Sequence, residues 1–230
     1  MRIALKVINM LSKTPEKSFT INEVAKGTAE YYSFVHRTVN QLASDGVIIK
    51  TKVGKSYLCS LNLKNEKTPV LMALNEIEKT KDFYEDNKNL KIILDDFTRA
   101  VELQFKNVLS IVLFGSYAKG TATKASDIDI LLIKGKGNIK IEKLTREIYA
   151  KYGKEISPIV ISQQDFRKQR SEAIVHEIIK NHYVLYGAEN FISMVFRNEI
   201  TVKNSLNFSR IAERNSAILC NTFSYSEIGR

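Results

Sequence analysis

Two apolar runs in the middle of the chain constrain its fold more than any other feature. Val108-Leu109-Ser110-Ile111-Val112-Leu113-Phe114 is rich in β-branched and aliphatic residues, and so is Ile128-Asp129-Ile130-Leu131-Leu132-Ile133. Short, nearly continuous apolar runs of this composition read as buried strands of an α/β architecture. The first run breaks abruptly at Gly115-Ser116, and the loop Tyr117 to Asp127 leads into the second. A third run, Glu155-Ile156-Ser157-Pro158-Ile159-Val160-Ile161, contains a proline that cannot donate to a strand ladder, which places it at a sheet edge or a bulge.

Asp127 and Asp129 stand two apart at the start of the second strand, so both carboxylates project to one face. Two like charges that close are costly unless a divalent cation lies between them. Carboxylates are the ligands Mg²⁺ takes when it also binds triphosphate oxygens, so both aspartates are candidate metal ligands and catalytic residues. On the other side of the loop, Gly115 lets the backbone approach a phosphate closely. The Ser116 hydroxyl and the neighbouring N–H groups can bond terminal phosphates. Lys119 and Ser126 lie in the same loop and join the candidate nucleotide-binding set. The plain alternative is that Ser-Asp-Ile-Asp is only a turn entering a buried strand.

The string Gly115-Ser116, ten residues, then Asp127-Ile128-Asp129, with Gly120 and Ser126 between, resembles the signature of the DNA polymerase β-like nucleotidyltransferases, in particular their minimal prokaryotic members. The resemblance spans about residues 90–190. It implies an α/β (α+β) nucleotidyltransferase fold with a short mixed sheet. It also implies transfer of a nucleoside monophosphate from an NTP to an acceptor hydroxyl, with Mg²⁺ or Mn²⁺ as cofactor. Members of the family act as protein-modifying partners in toxin–antitoxin pairs, so a protein acceptor is implied too. The family carries a third carboxylate on a later strand, and the matching position here is Ser157. Glu155 shares the strand parity of Ser157, about 6–7 Å along, and is the candidate substitute. Losing a positioned general base costs about 10²–10⁴-fold in rate. The second reading is therefore a DNA-binding regulator whose catalytic fold serves as a nucleotide sensor or homodimerisation unit.

The first sixty residues carry a different pattern. Ile3, Val7, Ile8 and Leu11 recur at helical spacing, and Thr20-Ile21-Asn22-Glu23 has the form of a capping box opening a short second helix. Tyr31, Val35, Val39 and Leu42 mark a third apolar stripe that ends at Asp45-Gly46. Two β-prone runs, Val47 to Lys52 and Ser56 to Leu61, flank a turn at Val53-Gly54-Lys55. Three helices followed by a hairpin resemble a winged helix-turn-helix domain over residues 1–63. The resemblance implies double-stranded DNA as a partner. His36, Arg37, Asn40 and Gln41 on the third helix would meet bases or phosphates, and Lys50, Lys52 and Lys55 on the hairpin would approach the backbone. The alternative is an accessory domain whose polar face meets water or a protein.

Charge agrees with a polyanionic partner. The chain has a net charge of +10, and residues 1–69 alone hold 11 Lys/Arg against 5 Asp/Glu. Residues 64–106 read as connecting helices, Val70 to Tyr84 and Leu90 to Phe105, that pack rather than act as a loose tether. Residues 107–196 form the nucleotidyltransferase-like unit and residues 197–230 a C-terminal extension of unassigned structure. Helices are expected at Gln163 to Gln169 and Ser171 to Tyr183, closed by Tyr186-Gly187. His176 and His182 read as packing or surface residues without an acidic partner. Cys59 and Cys220 lack metal-ligand spacing, which argues against a zinc site or a disulfide framework. The absence of a long apolar stretch or a signal-like N-terminus leads to the expectation of a cytoplasmic protein with no membrane partner.

Overall fold

Val7, Ile8 and Leu11 form the inner stripe of the first helix, α1 (Ile3–Ser12), in a computed structural model that describes residues 2–169 and 172–196. Strand β1 (Phe19–Thr20) runs directly into α2 (Ile21–Thr28), where the capping box closes in both directions. The Glu23 N–H donates to the Thr20 hydroxyl at 3.2 Å and the Thr20 N–H donates to the Glu23 carboxylate at 2.7 Å. Thr20→Ala is expected to destabilise the chain by about 1 kcal/mol, read as a Tm lower by about 2–4 °C, whereas Thr20→Ser keeps the parent Tm.

Helix α3 (Tyr32–Ser44) buries Val35, Val39 and Leu42. Tyr31 does not belong to that stripe: it occupies the extended N-cap position, out of helical phase, and is 78% exposed. Strands β2 (Ile48–Val53) and β3 (Ser56–Leu61) pair antiparallel around the two-residue turn Gly54-Lys55, and β1 adds to the other edge of β3. Cys59 is buried in β3, and burial pushes its thiol pKa up against the nearby Lys50 charge. Cys220 lies outside the described residues.

Helices α4 (Lys67–Asp86) and α5 (Lys88–Gln104) follow with only Asn87 between them. The second sheet is built from β4 (Val108–Leu113), β5 (Ile128–Lys134), β6 (Ile156–Ser162) and β7 (Tyr183–Tyr186), in the order β6-β5-β4-β7. It is mixed: β5 and β6 run parallel, while β4 is antiparallel to both β5 and β7. Between the strands lie α6 (Gly115–Lys119), α7 (Glu142–Tyr152), α8 (Gln163–Lys168) and α9 (Ala173–Lys180), and α10 (Ala188–Phe196) follows β7. Pro158 sits on β6, an edge strand, where its missing N–H interrupts no inner ladder.

Helices cover both faces of this sheet, which is why its central strands are apolar at both parities. Ile111, Leu113, Ile128, Ile130 and Leu132 pack with Leu94 and Phe97 of α5 and Leu144 and Ile148 of α7. Val112, Leu131 and Ile133 belong to the opposite core, with Phe166 of α8, Ile178 of α9 and Phe191 of α10. That core continues through Met72 and Ala73 of α4 into Val7, Ile8, Val35 and Val39. Helix α4 is therefore an integral part of the packing, in contact with both α1 and α10.

One element differs from the sequence reading. The helix expected through Tyr183 stops at Lys180, and Tyr183–Tyr186 is strand β7. Its reason is tertiary: Val184 is buried opposite Val112 on the free edge of β4, and the Ser110 hydroxyl donates to the Tyr186 carbonyl at 2.9 Å. Tyr186-Gly187 accordingly ends a strand rather than a helix. The C-terminal extension, 197–230, lies outside the described residues. Among the described residues no helix is long and apolar enough to cross a membrane.

Candidate active site

Strand β4 delivers the chain to Phe114 in an extended conformation, and Gly115 then turns it with φ +71° into the short helix α6. The turn brings the main chain onto the start of β5. A Cβ at position 115 would lie 1.9 Å from one carboxylate oxygen of Asp129 and 2.7 Å from its carboxyl carbon. The carboxylate thus rests directly against the Gly115 Cα, a contact only glycine allows. The link is reinforced by the Phe114 N–H, which donates to the Asp129 carbonyl at 3.0 Å.

Asp129 is half-buried and Asp127 exposed beside it. Burial pushes the Asp129 carboxyl above the ordinary carboxylate range and the neighbouring Asp127 charge adds to this, while the Ser116 main-chain N–H, as hydrogen-bond donor, opposes both. Asp129, raised in part by the Asp127 charge beside it, forms with Asp127 an oxygen donor pair whose repulsion a hard divalent cation relieves, so the residues fit such an ion. The Ser116 N–H is thus directed at Asp129.

The connecting loop is held from three sides. The Ser126 hydroxyl accepts from the Thr123 N–H at 2.9 Å, so the structure gives Ser126 a loop-closing bond. The Lys154 ammonium donates to the Lys124 carbonyl at 2.7 Å and lies 6.0 Å from the centre of the Tyr117 ring. Lys119, at the end of α6, is paired with Glu177 of α9 at 2.8 Å. Hydrogen bonds from Lys119 and from Asn181, together with the Lys119 charge, hold the Glu177 carboxyl below the ordinary range. Lys154 and Glu177 escaped the sequence reading, because one Lys among 35 basic residues and one Glu on a helix carry no local signal.

Ser157 is the register partner of Asp129 across the parallel β5–β6 pair. It holds the position at which the sequence comparison looks for a third carboxylate. Glu155 lies one residue before β6. Its carbonyl accepts from the Ile128 N–H at 2.9 Å, its side chain is exposed, and no group of three or more His, Cys, Asp or Glu that could hold a metal gathers among the described residues.

The α3 candidates share one surface. Tyr32, Ser33, His36, Arg37, Asn40 and Gln41 line an open depression of about 610 Å³ on the outer face of α3. Lys50 lies next to it, bonded to Asn40, while Lys52 and Lys55 are exposed further along the hairpin.

His182 departs from expectation, because it has an acidic partner. Its Nε2 lies 3.1 Å from a carboxylate oxygen of Glu76 on α4, and its Nδ1 lies 2.9 Å from the Ile179 carbonyl. Lys79 approaches the same Glu76 oxygen at 2.6 Å. The partners are far apart in sequence, so no spacing rule could have joined them.

The nucleotidyltransferase domain family model matches residues 94–190. Two relatives come from Methanocaldococcus jannaschii. "Putative protein adenylyltransferase MJ1305" is 35% identical over 114 residues, covering 46% of this chain and 78% of the relative. "Putative protein adenylyltransferase MJ0604" is 32% identical over 94 residues, covering 40% of this chain and 94% of the relative. A crystal structure of a toxin–antitoxin with AMP-PNP aligns at 16% identity over 56% of this chain and 97% of the other, with a TM-score of 0.36, too low to bear on function. The chain belongs to the nucleotidyltransferase domain family.

Proposed function

We propose that the chain transfers a nucleoside monophosphate, adenylyl in the first instance, from an NTP to a protein hydroxyl, and that residues 1–63 form a winged-helix unit that docks on double-stranded DNA. The transferase reading rests on one observation: the Asp129 carboxylate is seated on Gly115, with Asp127 beside it and the Ser116 main-chain N–H donating to it. The choice of adenylyl and of a protein acceptor is supported by the names of the two archaeal relatives.

In this reading Asp127 and Asp129 hold Mg²⁺ or Mn²⁺, which when bound neutralises the pair and polarises phosphate oxygens. The Ser116 hydroxyl bonds the triphosphate, and Lys119 exchanges Glu177 for a phosphate oxygen. Ser157 in place of a carboxylate leaves the attacking hydroxyl without a positioned base, so transfer runs about 10²–10⁴-fold below that of a site with one.

The test is incubation with ATP labelled at the α-phosphate and either cation, beside an Asp127→Asn/Asp129→Asn chain. Label should appear on protein with the parent and fall to background with the double variant. Equal labelling of both would refute the reading. The same Ser157 observation favours a second reading, a DNA-binding regulator with a nucleotide-sensing domain. It is recognised by nucleotide binding that needs Asp129 but gives no transfer.

A further inference from the structure

The outer face of α3 is polar at its centre, yet its side chains are not equally free to meet a ligand. Asn40 is engaged at both ends of its amide. Its oxygen accepts from the Lys50 ammonium at 2.5 Å, and its nitrogen lies 3.3 Å from His36 Nδ1. Lys50 is further held 4.5 Å above the ring of Tyr57, so this clasp ties helix α3 to both strands of the hairpin. The His36 ring stacks on Tyr32 with centroids 5.7 Å apart. Gln41 donates to Asp45 at 3.3 Å. Arg37, exposed among them in the depression, has no hydrogen bond or ion pair with any other described residue.

These differences bear on which base the face can read. An asparagine recognises adenine by offering its amide oxygen and nitrogen together, whereas an arginine recognises guanine by two parallel donors to O6 and N7. In Asn40 the oxygen is already held by an ammonium, while the guanidinium fork of Arg37 is open. Resting on the DNA-binding reading above, we infer that Arg37 is the specificity-determining residue, reading a guanine in the major groove. Asn40 and Lys50 are a strut that fixes the hairpin against the recognition helix and so sets which phosphates Lys52 and Lys55 reach. The occupant is double-stranded DNA because the surrounding segment, residues 1–69, carries 11 basic and 5 acidic residues.

The experiment is selection of the full chain against a randomised duplex library, followed by titration of the enriched duplex and a scrambled one. The parent should enrich a guanine at a fixed position. Arg37→Ala should lose that preference and bind the enriched duplex about 5–150-fold more weakly, matching the 1–3 kcal/mol of a bidentate contact, while its affinity for the scrambled duplex changes far less. Asn40→Ala should keep the guanine preference and weaken both duplexes together. A guanine preference that survives in Arg37→Ala, or an adenine preference that disappears in Asn40→Ala, overturns the assignment while leaving DNA binding intact. Absence of duplex binding by the parent at low salt overturns the winged-helix reading itself. Arg37 is exposed, so its replacement leaves the core untouched, and circular dichroism checks this.

Discussion

Gly115→Ala is expected to lower nucleotidyl transfer by at least about a hundredfold, the scale set by misplacing a reacting group by about 1 Å, while the chain stays folded. The added Cβ would fall 1.9 Å from the Asp129 carboxylate oxygen, so the carboxylate must swing away or the turn must open. The backbone there also has φ +71°, which costs an L-residue about 1–2 kcal/mol. Gly120 provides the control. It has φ +70°, but nothing lies within 4 Å of a Cβ built on it. Gly120→Ala therefore imposes the same strain without the collision, and should lower Tm similarly while retaining most transfer. Label transfer and thermal melting on both variants decide the matter. Transfer by Gly115→Ala within a few-fold of Gly120→Ala would remove Asp129 from the site.

Glu76→Gln and His182→Ala should each destabilise the chain by about 1–3 kcal/mol, the cost of leaving a buried polar partner without its hydrogen bond. For a chain of this length that is about 2–10 °C in Tm. Both side chains are only 8% exposed, in the layer where α4 meets the end of α9 and the start of β7. Burial pushes the Glu76 carboxyl up, but the charges and hydrogen bonds of His182 and Lys79 outweigh it and hold the pKa at about 2. A carboxyl lowered from its ordinary value contributes stability above that ordinary value, near 4.5. The contribution disappears as pH falls from about 4.5 towards 2. Chemical denaturation across that window should show a steeper loss of stability in the parent than in Glu76→Gln. Identical slopes would mean that Glu76 is not held in its charged form.

The readable parts of the chain were those governed by local rules. The capping box at Thr20–Glu23, the hairpin turn at Val53-Gly54-Lys55 and the apolar strands β4 and β5 depend on neighbours a few residues away. Strand β7 was misread, since Tyr183 to Tyr186 becomes a strand only by pairing with the edge of β4. Tyr31 was misread because its apolar ring suggested burial, while the helix starts one residue later and leaves it in solvent. Glu155 shares the parity of Ser157 and its side chain is exposed, and parity alone does not say where a side chain ahead of a strand turns.

By itself the sequence carried the resemblance to the nucleotidyltransferases, which implies the mixed sheet, and set Asp127 and Asp129 two apart, a spacing that turns both side chains to one face. Only the tertiary structure decided that Asp129 leans on Gly115, that Lys119 and Glu177 meet, that Asn40 is clasped by Lys50 and that Glu76 is buried against His182. Each of those contacts joins residues on different elements. Their distances are set by how helices and strands pack around a common core, which no local pattern of residues encodes.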